Sequence, residues 1–255
     1  MNVKIVFSST GGTAKVADIL TKNWNGVECI DLTKADKDFS ECQFNSDDRA
    51  LIAMPSYGGL APEVAIERFK KISGNGAKCT IVCVYGNRAY EDTLVQMEDV
   101  AKECGFDVIA AVAAVAEHSI MHQYAAGRPD ADDEKQLETF AEQISVKEGT
   151  VTSVPGNRPY KKGGGAGLVP KVTADCVKCG LCAESCPVKA IDQHSFKADS
   201  KSCISCMRCV SQCPHNARKV SGVMVGIVGL ALKKACSLRK ENELYLYCLL
   251  YTSDA

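Results

Sequence analysis

Cys176-Val-Lys-Cys179-Gly-Leu-Cys182-Ala-Glu-Ser-Cys186-Pro187 is followed by Cys203-Ile-Ser-Cys206-Met-Arg-Cys209-Val-Ser-Gln-Cys213-Pro214. The pattern C-x2-C-x2-C-x3-C-P therefore occurs twice, the second copy 27 residues after the first. Three closely spaced cysteines on a loop can hold three corners of an iron–sulfur cube. The fourth is carried away on the next segment and ligates the cube of the other run. This spacing predicts two [4Fe–4S] centres. One is expected on Cys176, Cys179, Cys182 and Cys213, the other on Cys203, Cys206, Cys209 and Cys186. Each terminal Cys-Pro corner ends its local turn and removes a backbone donor that would need a partner. A structural zinc would use four ligands, usually as two separated pairs, which fits the duplicated crowding less well. A disulfide framework would need an oxidising compartment, and no secretory leader pattern is legible at the start.

Outward from this stretch, Val188-Lys-Ala190 and His215-Asn-Ala217 follow the two corners at equivalent positions, which indicates internal duplication. Lys178 and Arg208 lie beside the predicted centres, where positive charge favours the reduced form. Residues 171–218 resemble the bacterial two-cluster ferredoxin module, an α+β unit.

The 255-residue chain suits one or two domains, and 46% hydrophobic with 24% charged residues is ordinary for a globular protein. Eight of its fifteen cysteines belong to the two runs; Cys29, Cys42, Cys79, Cys83, Cys104, Cys236 and Cys248 read as reduced core thiols. A cytoplasmic location is expected. Charge is uneven: residues 1–150 sum to −9 and residues 151–255 to +8. The two halves are thus able to attract each other. No basic run carries interleaved aromatics, so nucleic acid is not an expected partner. Val220 to Leu232 is too short to span a bilayer and reads as a packed terminal helix.

The first half alternates strand and helix signals. Strands are expected at 3–7, 27–32, 49–54, 78–84 and 106–115, and helices at 14–20, 64–72, 90–104 and 132–146. That alternation predicts a doubly wound parallel sheet. Between the first strand and helix, Ser8-Ser-Thr-Gly-Gly-Thr13 offers hydroxyls and backbone N–H groups to a phosphate, and Gly11 and Gly12 let it come close. The loop lacks the lysine of a nucleoside-triphosphate loop and the spacing of a dinucleotide fold.

Three loops make residues 1–147 resemble a flavodoxin. Ser8, Ser9, Thr10, Gly12 and Thr13 match that family's FMN phosphate loop. Pro55-Ser56-Tyr57-Gly58 lies where the family places an aromatic, usually Trp, over the flavin. Tyr85-Gly86-Asn87-Arg-Ala-Tyr90 resembles the next flavin loop, with Asn87 in place of the usual aspartate and Tyr90 at the stacking position. The resemblance implies a five-stranded flavodoxin-like sheet and FMN, held between aromatic rings that exclude water. His118, after the last strand, is expected to be structural rather than a proton relay.

Residues 148–170 are rich in Gly, Pro and Lys and read as a linker. It could let the clusters swing, or Arg158, Lys161 and Lys162 could pin it to the acidic first half. Residues 219–247 read as a C-terminal helix with a polar helical end at 239–245, and 248–255 as a non-native tail. The expected function is transfer of single electrons through two clusters in exchange with FMN, with unidentified redox proteins as donor and acceptor. The alternatives are a flavin-dependent reductase of a quinone or other small acceptor, and a ferredoxin whose first domain holds no flavin.

Overall fold

The computed structural model describes residues 1–146, 149, 153–163 and 167–246. The tail read as non-native, 248–255, lies outside them, as do the first-domain boundary at 147 and the linker residues 164–166. In chain order, the first half holds β1 (Asn2–Val6), α1 (Gly12–Leu20), β2 (Val27–Asp31), β3 (Arg49–Pro55) and α2 (Glu63–Phe69). It continues with β4 (Lys78–Tyr85), α3 (Thr93–Glu103), β5 (Asp107–Val115) and α4 (Ala131–Ser145).

The five strands run parallel in the order β2-β1-β3-β4-β5, the flavodoxin-like winding. β3, β4 and β5 are buried almost throughout, because helices cover both faces. One face packs Phe7, Phe44, Phe69 and Phe106 with α2 and α3; the other packs Val16, Leu20, Leu137 and Ile144 of α1 and α4. The observed element ends fall within a few residues of the expected ones.

The cysteine-rich half holds β6 (Lys171–Val172), α5 (Leu181–Glu184), α6 (Arg208–Ser211), β7 (Arg218–Lys219) and α7 (Gly222–Cys236). Its duplication extends to the backbone: Lys178 and Ser205, Gly180 and Met207, and Lys189 and Asn216 adopt positive φ in pairs at the same spacing as the cysteines. β6 pairs antiparallel with β7 and closes the unit. A flavodoxin-like doubly wound sheet is thus followed by a small ferredoxin-type unit.

One expectation fails after residue 236. The segment 239–245 is not a helical end: β8 (Glu243–Leu246) joins the main sheet as a sixth strand, antiparallel to β5. Its entry is fixed by Asn242, whose Oδ1 accepts from Val115 N at 2.8 Å and whose Nδ2 donates to Asp133 at 3.0 Å. β5 would otherwise end the sheet with unpaired main-chain groups, and β8 covers them. Cys29, read as a core thiol, is exposed on β2, the opposite edge strand.

The segment between the halves lies along α3. Asp92 accepts from Asn157 N and Lys161 N, both at 2.8 Å, and Arg158 pairs with Glu98 and Asp99. The Lys161 and Asn157 N–H groups that point at Asp92 lower its pKa from the ordinary carboxylate value. Of the three cations named for pinning, Arg158 and Lys161 make such contacts.

Candidate cofactor sites

Strand ends at the carboxyl edge of the parallel sheet carry the three loops, because each β-strand there turns outward into its helix. After β1, Ser8 Oγ accepts from Ala14 N at 3.1 Å and bends the chain into α1. Gly11 takes φ +101° at the helix cap, a conformation that favours glycine. A Cβ on Gly12 would stand 3.1 Å from that of Ala116, so the loop runs tight against the end of β5. α1 has no acidic residue in its first turn, leaving its N–H groups and dipole available to an anion.

The cleft beside this loop is lined by Ser9, Thr10, Gly12, Thr13, Pro55, Ser56, Tyr57, Gly58, Tyr85 and Gly86, with a free volume of about 800 Å³ out to its mouth. Gly58 and Gly59, both at positive φ, turn the second loop, and Tyr57 N donates to Leu60 O at 2.7 Å. Ser56 Oγ is held by Thr93 Oγ1 at 2.8 Å. Nine of the twelve expected FMN residues thus meet at one cleft.

The other three do not. Ser8 faces the far side of its loop. Tyr90 turns away from the cleft: its hydroxyl donates to Glu243 at 2.6 Å and meets the Tyr245 hydroxyl at 2.9 Å. Its ring meets Tyr85 edge-on, with centroids 5.2 Å apart. Asn87 is buried and donates to the carbonyls of Cys236 and Leu238 at 2.9 and 2.8 Å. Both residues anchor the returning C-terminal segment, so the loop that resembled a stacking loop fastens β8.

His118 lines the cleft. Its Nδ1 accepts from the N–H groups of Ile120 and Met121 at 3.2 Å, so the neutral ring carries its proton on Nε2. Burial moves its pKa below the ordinary value. Gly86 makes room for it: a Cβ there would lie 2.7 Å from the imidazole.

The cleft is also lined by Ile204 and Ser205, from the second cysteine loop. The two halves meet here. Arg208 Nη1 donates to Ser8 O at 3.0 Å, and Arg68 Nη2 donates to Pro187 O at 2.6 Å. Lys189 pairs with Asp36. Sequence reasoning named none of the Ile204, Ser205 or Arg68 contacts, because nothing in a linear pattern says which loops two units turn toward each other.

The cysteines line two small cavities of about 350 Å³ free volume each. Cys176, Cys179, Cys182 and Cys213 line one; Cys203, Cys206, Cys209 and Cys186 line the other. Each cavity takes three cysteines from one run and the fourth from the other. Ala190 N donates to Cys186 Sγ and Ala217 N to Cys213 Sγ, each at 3.3 Å, so both fourth sulfurs receive an equivalent N–H bond. Burial pushes the Cys209 thiol up to about 11, with Arg218 pulling against it. Thiols in such cavities release their protons to solvent when they ligate a metal as thiolates.

Residues 169–227 match a 4Fe-4S dicluster domain family. No curated protein matches the chain. Among solved structures, the chain is similar to a Streptococcus pneumonia TIGR4 flavodoxin at 25% identity, covering 58% of this chain and all of that one, with TM-score 0.42. It is also similar to oxidised Flavodoxin 1 from Bacillus cereus, at 15% identity, 58% and 100% coverage and TM-score 0.40. A Fusobacterium nucleatum flavodoxin bound to flavin mononucleotide aligns at 13% identity over 56% and 96% of the two chains, with TM-score 0.38. The fold assignment rests on the strand order itself. Among the described residues, no helix is long and apolar enough to cross a membrane.

Proposed function

We propose that the chain is an electron-transfer protein that holds two [4Fe–4S] clusters and one FMN. Cys176, Cys179, Cys182 and Cys213 would ligate one cluster, and Cys203, Cys206, Cys209 and Cys186 the other. The observation that carries this reading is the sorting of eight cysteines into two cavities, each three-plus-one across the runs. A single zinc site or a disulfide set gives no reason for that sorting. When bound, the clusters supply one-electron transfer and the flavin a two-electron store.

The residues of the chain hold, orient and shield these groups. Ser9, Thr10, Gly12 and Thr13 would hold the FMN phosphate at the start of α1. Tyr57 would flank the ring system and exclude water from it. Ile204 and Ser205 bring the second cysteine loop into the same cleft, so a cluster on Cys203, Cys206, Cys209 and Cys186 would be the one nearer the flavin. The other cysteine loop carries exposed Cys179, Val177 and Leu181 and would face a redox protein partner. All fourteen cysteines among the described residues are free, which supports work in a reducing compartment such as the cytoplasm. Docking of Ile204 and Ser205 over the cleft favours a carrier over an enzyme with its own substrate pocket.

Stepwise anaerobic reduction with dithionite, followed in the visible spectrum, tests this assignment. The expected result is bleaching of both cluster and flavin absorbance, with electrons re-equilibrating between them. Cluster bleaching beside a flavin that stays oxidised at equilibrium would contradict it.

A further inference from the structure

Arg218 breaks the duplication. Its counterpart 27 residues earlier is Ile191, which is buried and lines the cavity of Cys203, Cys206, Cys209 and Cys186. Arg218 is equally buried, at 2% exposure, and lines the cavity of Cys176, Cys179, Cys182 and Cys213. One copy of the repeat therefore places an alkyl side chain at this position, and the other a guanidinium.

Among the described residues, no carboxylate pairs with that guanidinium. Nη1 donates to Phe196 O at 2.6 Å, whereas Nε and Nη2 have no partner among the described residues. A buried cation with unused donors is costly unless something negative receives them. The cavity it lines is edged by Cys176, Cys179, Cys182 and Cys213, so the sulfurs of that proposed centre are the groups placed to receive those donors.

We propose that Arg218 is a positioning and charge-compensating residue for the iron–sulfur centre of Cys176, Cys179, Cys182 and Cys213, donating its free N–H groups into that sulfur shell. This rests on the cluster assignment above. Sulfides and thiolates leave each centre net negative, and reduction adds one more negative charge. A fixed buried cation therefore stabilises the reduced state more than the oxidised one. The electron comes from a one-electron donor, dithionite in the test, and Arg218 neither gains nor loses a proton.

The test is an anaerobic potentiometric titration read by electron paramagnetic resonance on the full chain, with iron and sulfide counted for wild type, Arg218→Ile and Arg218→Lys. Ile is chosen because the repeat already accepts it at the equivalent position. At the potential that half-reduces the wild-type centre of Cys176, Cys179, Cys182 and Cys213, Arg218→Ile is expected to lower its reduced-to-oxidised ratio about tenfold, which is about 59 mV for one electron. Arg218→Lys, which keeps the charge, is expected to stay within about threefold of wild type. Loss of iron in Arg218→Ile with retention in Arg218→Lys would equally support a required cation. Full iron with unchanged midpoints in Arg218→Ile would overturn the proposal, as would equal iron loss in both variants. Wild-type protein that takes up no iron would instead overturn the cluster assignment itself.

Discussion

Arg208, on the helix that follows Cys206, donates from Nη1 to the main-chain oxygen of Ser8 at 3.0 Å. This bond ties the second cysteine loop to the loop proposed to hold the flavin phosphate, and it steadies the N–H groups of residues 9–13. A hydrogen bond from a charged donor contributes about 1.5–3 kcal/mol. Arg208→Ala is expected to raise amide exchange across residues 8–13 and to weaken FMN binding about tenfold while leaving the iron count unchanged. Unaltered exchange and affinity would show that the two halves are not coupled through this contact.

The crossed cysteine assignment makes a paired prediction. Cys213→Ser should impair the centre of Cys176, Cys179 and Cys182, and Cys186→Ser that of Cys203, Cys206 and Cys209. Each variant is expected to fall from about eight irons toward about four. The surviving signal should be the nearer-flavin centre in the first variant and the outer centre in the second. Retention of both cluster signals in either variant would rule out the crossing.

Tyr90 and Tyr57 separate the anchor from the cleft. Tyr90→Phe loses the bonds to Glu243 and Tyr245 and should cost about 1 kcal/mol of stability with flavin affinity unchanged. Tyr57→Ala removes a ring that lines the cleft and should weaken flavin binding without freeing β8. Calorimetry of unfolding and fluorimetric flavin titration distinguish the two; a Tyr90→Phe variant with weakened FMN binding would return Tyr90 to the site.

The parallel sheet and the cysteine runs were legible because each rests on a local period: alternating strand and helix signals, and a ligand spacing repeated 27 residues apart. The misreadings have a common physical cause. Tyr90, Asn87 and residues 243–246 have their roles fixed by a pairing between segments about 150 residues apart, which no local pattern encodes. Polar composition at 239–245 suggested a helical end, yet β5 had a free edge whose main-chain groups required a partner. Arg218 did leave a spacing signal, since its counterpart in the repeat is Ile191.

Asp133 holds the C-terminal return in place. Its carboxylate is 1% exposed, pairs with Arg128 and Arg239, and accepts from Asn242. Burial pushes its pKa up, but Arg128, the Asp130 N–H and Asn242 together bring it below the ordinary value. A depressed carboxyl pKa contributes stability above the unfolded value of about 3.9, lost as pH falls through the folded value. Asp133→Asn leaves the buried Arg128 short of charge and should cost about 3 kcal/mol at neutral pH. Its stability should also depend less steeply on pH below about 4 than that of wild type. Urea unfolding at several pH values measures both; equal acid slopes would contradict the assignment.

The central claim is that one chain carries two clusters and a flavin. Iron, acid-labile sulfide and FMN, counted per chain after anaerobic preparation and flavin addition, test it most directly. The account predicts about eight irons, about eight sulfides and one FMN. Four or fewer irons, zinc in their place, or a chain that retains no flavin would contradict it.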